Sequence, residues 1–276
     1  MLTTISKRLA LLLQPQVTLL LAAVIIFGIH ISLAPVAMEN LLPKTLYKLV
    51  FQSQFDGAGK EVNIHTYLPK NSPWQQIIHE KITPLDVPHQ QQILPSGRLI
   101  SWSGDENTRA TGFELLMSIK GNQYQLPQNS PIESNRPASL AKYLIASEHI
   151  QVQHPEIKSL WQLIKPNTDY SYDILQAIYQ YTWQDIESAP FKGTTDALTA
   201  ARLKVASCNG KSRLFVALAR LNNLPARLVG GIILENSRKK TSHQWVEVYL
   251  NDHWITFDPT NGYFAKRPSH YLKLYE

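Results

Sequence analysis

The stretch ASCNGKSRLFVALARLNNLPARLVGGIIL at 206–234, followed by SHQWVEVYLNDHWITFDPTNG at 242–262, decides how this chain is read. After Cys208, the apolar residues Leu214, Ala217, Leu218 and Leu221 recur at helical spacing. Pro225 cannot continue that helix and biases Leu224 away from helical backbone, so LNNLP ends it. Cys208 therefore stands near a helix N-terminus, where unpaired N–H groups and the macrodipole favour a thiolate. Downstream, HQWVEVYL and HWITFD flank Asn251-Asp252, a two-residue hairpin turn. Pairing the strands symmetrically about it sets Tyr249 opposite Trp254, Glu247 opposite Thr256 and Trp245 opposite Asp258. His243 then shares a face with Asp258 one diagonal step away, a separation of about 7–8 Å that side chains can bridge. A thiol nucleophile, an imidazole base and a carboxylate that orients the base are the parts of an acyl-transfer site.

Each signal alone has an ordinary explanation. A lone cysteine ahead of an amphipathic helix is commonly a small buried hydrophobe. A strand histidine is commonly a satisfied polar group, and Asp before Pro is a common turn. Their joint placement in compatible elements, on one strand face, favours chemistry.

These segments resemble the transglutaminase-like branch of the papain-like cysteine enzymes. Its pattern sets Cys at the start of a central helix, then a phrase like IPAR, then HAW-E, then W-x-x-x-DPT. Here the matches are Cys208, LPARLVGG at 224–231, HQWVEV at 243–248 and WITFDPT at 254–260. Gln244 replaces the commoner small residue after the histidine. HPEIKSLWQLI (154–164) and YDILQAIYQYTWQDI (172–186) look like the two helices preceding the cysteine. The resemblance covers roughly residues 139–276. It implies an α+β fold, with the Cys-bearing helix packed on an antiparallel sheet, and catalytic roles for Cys208, His243 and Asp258. It extends to a bacterial membrane-anchored subgroup, some members of which are considered inactive.

The implied reaction is acyl transfer through a Cys208 thioester on a peptide or protein substrate. His243 carries the proton, Asp258 fixes the imidazole tautomer, and the Cys208 N–H is an oxyanion donor. Water as acceptor makes a cysteine peptidase or amidase, and an amine makes a protein-glutamine acyltransferase. The residues serve both, and hydrolysis is the commoner outcome in such bacterial proteins. The alternative from another class is a catalytically silent module that binds a peptide or cell-envelope partner.

Composition bounds the rest. Across 276 residues, 27 Lys plus Arg face 21 Asp plus Glu. That net +6 is scattered, which argues against nucleic-acid binding. The one basic run, Arg238-Lys239-Lys240, precedes His243 as a solvated loop or an anion-attracting rim. A single Cys forbids an internal disulfide. No metal-ligand spacing or phosphate loop appears, DGAGK at 56–60 included, so no cofactor or metal is expected.

Lys7 and Arg8 precede a nearly unbroken apolar run over 17–37, long enough to span a bilayer. The expected topology is a cytoplasmic tail at 1–16, a single-pass anchor in the inner membrane at 17–37 and a periplasmic remainder. A cleaved signal is the competing reading, although Pro35 directly after SLA disfavours cleavage there. Strand-like runs at 47–55, 61–69, 97–104 and 111–121 suggest a small β-rich domain over 45–127. It would act as a spacer or a partner-binding module, with a polar, Pro-rich connector at 128–138 leading to the core at 139–276.

Overall fold

Strand β11 (His243–Leu250) returns as β12 (His253–Phe257) through Asn251 and Asp252, whose φ angles of 49° and 62° are both left-handed. Two successive left-handed residues make a turn whose twist matches antiparallel strands, and Asn and Asp tolerate that conformation. The register is the expected one, Tyr249 opposite Trp254 and Glu247 opposite Thr256. A computed structural model describes residues 15–33, 44–55, 60–84, 87–105, 108–133, 136–190, 195–236, 238 and 242–276. Strand β10 (Ala226–Ile233) pairs with β11, setting Gly231 opposite His243. On its other side β10 pairs with β14 (Tyr271–Tyr275), with an irregularity between Gly230 and Gly231. A Cβ on Gly231 would lie 1.9 Å from the Leu272 carbonyl oxygen and 2.6 Å from the Trp245 ring. Glycine is what lets β14 approach there.

Helices α2 (Pro155–Ile164), α3 (Ser171–Gln180), α4 (Ala197–Leu203) and α5 (Cys208–Leu221) cover one side of these strands. Helix α5 starts after Ser207, whose backbone is extended, and ends at Asn222, followed by Asn223 with φ 57°. All six residues from Leu214 to Ala219 are fully buried, which places α5 inside the molecule rather than on its surface. Ile157, Ile174, Leu175, Ile178 and Ala200 meet it from the helices, and Val246, Val248 and Phe257 from the sheet. Burying each large apolar side chain contributes about 1.5–3 kcal/mol, so this core fixes where α5 begins. Helix α3 runs on into a π-helical turn at Tyr181–Asp185, with the buried Thr182 hydroxyl donating to the Ile178 and Tyr179 carbonyls.

The region 45–127 contributes β1 (Lys44–Gln54), β2 (Val62–Leu68), β3 (Gln75–Thr83), β4 (His89–Leu94), β5 (Gly97–Gly104) and β6 (Ala110–Lys120). Strands β1, β6 and β3 form one sheet in that order. Strands β2, β4 and β5 instead extend the core sheet, in the order β12-β11-β10-β14-β5-β2 with β4 also on β5. Pro43–Glu276 forms a single compact unit, and the strands of 45–127 lie within it. Tyr275 bridges to Gly97, and the Glu276 N–H donates to the Ser96 carbonyl over 2.8 Å. The Gln75 side chain, 2% exposed, donates to the Lys273 carbonyl over 3.0 Å and accepts from the Lys273 N–H over 2.9 Å. The 128–138 segment is likewise more than a linker. Ser171 donates its N–H and hydroxyl to the Ser130 carbonyl, and Ile132 packs on the core.

The N-terminal unit, Met1–Leu42, contains helix α1 (Pro15–Leu33). Its Leu19, Leu20, Leu21, Val24, Ile25 and Ile26 side chains are exposed. Among the described residues no helix is long and apolar enough to cross a membrane. The tail at 1–14, Lys7 and Arg8 included, and the end of the apolar run at 34–37 lie outside the described residues, as do Lys239 and Lys240.

Candidate active site

The structure brings Cys208, His243 and Asp258 together. Cys208 is the first residue of α5 and half-buried. Its Sγ–H donates to Asn209 Oδ1 over 3.7 Å, and it lies near enough to the His243 ring and the Gln244 backbone for both to lower its pKa. His243 opens β11, with its side chain 10% exposed, and its Nε2–H donates to Asp258 Oδ2 over 2.7 Å. With Nε2 engaged, Nδ1 is the ring nitrogen left for the thiol. Asp258, fully buried, follows directly on β12.

The carboxylate is held from several directions. Oδ1 accepts the backbone N–H of Thr260 (2.8 Å) and of Asn261 (3.2 Å). Oδ2 accepts the Tyr271 hydroxyl (2.5 Å) and the Asn261 side-chain amide (2.9 Å), and that same amide reaches the Tyr271 oxygen at 2.8 Å. Reciprocal backbone bonds between Asp258 and Tyr263 close the loop, in which Gly262 takes φ 74° against the Trp183 ring. A side chain at Gly262 would need the left-handed backbone that glycine adopts without cost.

Asn261 and Tyr271 are functional residues that sequence reasoning missed. For Asn261 a signal existed, since DPTNG is a turn whose Asp caps the backbone N–H groups two and three residues on. Tyr271 had none, because its place depends on β14 lying beside β10.

The electrostatics follow from burial and these contacts. Burial pushes Asp258 up, but the His243 hydrogen bond and charge, with Tyr271 and Asn261, hold it below the usual carboxylate range. Burial pushes His243 down, yet its bonds to Asp258 and Cys208 and their charges raise it to about 9. Burial raises the Cys208 thiol, and the His243 and Gln244 bonds more than compensate, leaving it below an ordinary thiol. Tyr271 is pushed up, first by burial and then by the Asp258 charge, so it remains a donor. The arrangement therefore favours the thiolate–imidazolium pair more than an isolated thiol and imidazole would. As the first residue of α5, Cys208 also has a backbone N–H with no acceptor within the helix. Among the described residues no cluster of three or more His, Cys, Asp or Glu is placed to hold a metal.

Residues 158–259 match the family model of the transglutaminase-like superfamily, and that segment is a transglutaminase-like core. A solved structure from Cytophaga hutchinsonii, a proposed cysteine protease, shares the fold at a TM-score of 0.65 and 15% identity, covering 84% of this chain and 83% of that one. The periplasmic domain of TgpA from Pseudomonas aeruginosa is a more distant likeness, with a TM-score of 0.42, 14% identity and 79% and 69% of the two chains covered. No curated protein matches the chain.

Proposed function

We propose that the protein is a thiol enzyme that cleaves peptide or side-chain amides through a Cys208 thioester. The observation that carries this is the 2.7 Å hydrogen bond from His243 to the buried Asp258 beside Cys208, with the thiol lowered and the imidazole raised to about 9. The thiolate attacks the amide carbonyl carbon, and the developing oxyanion is stabilised by the Cys208 N–H. The imidazolium gives its Nδ1 proton to the departing amine, so the C–N bond breaks and the thioester remains. Water then attacks the thioester, the imidazole takes its proton, and a carboxylic acid leaves as the thiolate is restored. An amine in place of water yields a new amide through the same steps. Water is the acceptor assigned here because it is in large excess at a half-buried thiol.

We also assign an N-terminal membrane anchor over 17–37, with the enzyme on the far side of the inner membrane. Its support is the apolar run in the sequence, the exposed apolar side chains of α1, and Lys7 and Arg8 ahead of it. Extraction with alkaline carbonate should leave the protein in the membrane. Release into the soluble fraction would remove the anchor from the proposal.

The deciding experiment for the chemistry is incubation with a mixture of amide-quenched fluorogenic peptides, with and without a primary amine. The unsubstituted protein should release fluorescence, and Cys208→Ala should lose at least about 10⁴-fold, since no second nucleophile is available. Equal turnover by the two proteins would end the enzymatic reading. Incorporation of the amine in place of hydrolysis would make the protein an acyltransferase.

A further inference from the structure

Lys211 is buried to 1% exposure inside α5, one helical turn after Cys208. Its ammonium donates to the Trp183 carbonyl over 3.2 Å and to the Pro259 carbonyl over 3.3 Å. Those acceptors belong to different pieces of the site. Trp183 lies in the π-helical turn at the end of α3, and its ring presses on Gly262. Pro259 is the residue after Asp258. One side chain thus joins the helix that presents the thiol, the turn that presents the carboxylate and the element packed beneath that turn.

Packing alone does not account for a lysine here. Methionine fills a similar volume without the desolvation that lowers this ammonium's pKa, an effect the Asp258 charge opposes. The ammonium supplies donors to two backbone carbonyls and a positive charge beside Asp258.

We propose that Lys211 is a positioning residue, locking the Asp258–Pro259 turn to the Cys208 helix and biasing the thiol towards its anion. The proposal rests on the thiol-enzyme reading above. The ionisable groups around this site are Cys208 and Arg213 on α5, Asp258 after β12, His243 on β11, Tyr271 and Tyr275 on β14 and Tyr179 on α3. A cation beside Asp258 offsets part of the carboxylate charge that raises both Cys208 and His243, so it favours the thiolate and disfavours the imidazolium. Its removal therefore raises both pKa values, moving the acid and alkaline limbs of activity to higher pH together.

The test compares Lys211→Met with the unsubstituted full chain, by iodoacetamide alkylation of Cys208 across pH and by peptide turnover. The alkylation inflection should move up by about one pH unit. kcat should fall about 10²-fold with KM little changed, as expected when a reacting group is misplaced by an ångström. An unmoved inflection in Lys211→Met, with the unsubstituted thiol still titrating well below about 8.5, overturns the Lys211 proposal and leaves the enzyme reading standing. An unsubstituted thiol that titrates at about 8.5 removes the enzyme reading itself. If Lys211→Met does not fold, carbon NMR of labelled lysines in the unsubstituted protein decides. The Lys211 signal should step at the pH of the alkylation inflection, and a flat titration there overturns the assignment.

Discussion

Glu247 and His243 lie on the same face of β11, and both meet buried partners from neighbouring strands, yet the two clusters are wired differently. Glu247, 1% exposed, accepts from Arg227 at 2.7 and 2.9 Å and from Lys273 at 3.0 Å. Arg227 also pairs with Glu276 at 2.8 Å and its guanidinium lies 3.8 Å over the Trp254 ring, while Lys273 forms its own ion pair with Glu276. Two cations and two carboxylates thus pair with each other. At the other end, Asp258 takes its hydrogen bonds from neutral donors and one imidazole, with the Lys211 ammonium nearby on the Pro259 carbonyl, so the one carboxylate–cation hydrogen bond depends on the proton held by His243. Both clusters bear the cost of buried charge. Only the second contains an imidazole, a group that can hold or release a proton near neutral pH, and on the proposed function that marks it as the reactive cluster.

Asp258→Asn attacks the reactive cluster and should have the largest effect. Losing the carboxylate costs about 10⁴-fold in a serine triad. A preformed thiolate–imidazolium pair leans less on it, so a fall in kcat of about 10²–10³-fold is expected. Its pH signature is specific. His243, raised to about 9 in the folded protein, contributes stability that is fully present below its unfolded pKa of about 6.5 and is lost as pH rises through about 9. Asp258 contributes in the opposite sense, with stability present above its unfolded pKa of about 3.9 and lost as pH falls through its lower folded value. In Asp258→Asn the alkaline limb of activity should move below 9. An alkaline limb that stays in place would mean that the carboxylate does not hold the imidazolium.

Glu247→Gln attacks the balanced cluster. It leaves Arg227 and Lys273 facing Glu276 alone and should cost about 3 kcal/mol in denaturant unfolding. Turnover by the protein that remains folded should keep its pH profile. A shifted profile would show that the two clusters are coupled, and the contrast between them would have to be redrawn.

Tyr271→Phe makes the finest cut, removing one neutral donor from Asp258 Oδ2 without changing charge. One hydrogen bond to a charged group corresponds to about 1.5–3 kcal/mol. Because Asn261 and two backbone N–H groups remain, a loss of about tenfold in kcat or less is expected. A loss as large as that of Asp258→Asn would assign Tyr271 a direct part in the chemistry.

The reactive cluster was largely legible in the sequence, and the balanced one was not. Cys208, His243 and Asp258 sit at the ends of elements whose bounds are set locally, by Pro225 after the helix and by Asn251-Asp252 between the strands. The hairpin register alone then puts His243 and Asp258 on one face. Glu247, by contrast, meets Lys273 and Glu276 only because β14 inserts between β10 and β5, a long-range pairing with no local signal. The same insertion hid Tyr271 and the joining of strands from 45–127 to the core sheet. Strands β3 and β4 were missed for local reasons. The first is broken by a register shift between Ile77 and His79, and the second, HQQQIL, is exposed and lacks an alternating apolar pattern.

Gln75 imitates a peptide group. Its side-chain amide gives one hydrogen bond to the Lys273 carbonyl and takes one from the Lys273 N–H, as a neighbouring strand would. Seen through hydrogen exchange, the Lys273 amide is shielded by a side chain rooted in a different sheet. Solvent reaches it only when the three-stranded sheet and the seven-stranded sheet part. Its exchange is therefore expected to be slow and to report the cohesion of the Pro43–Glu276 unit.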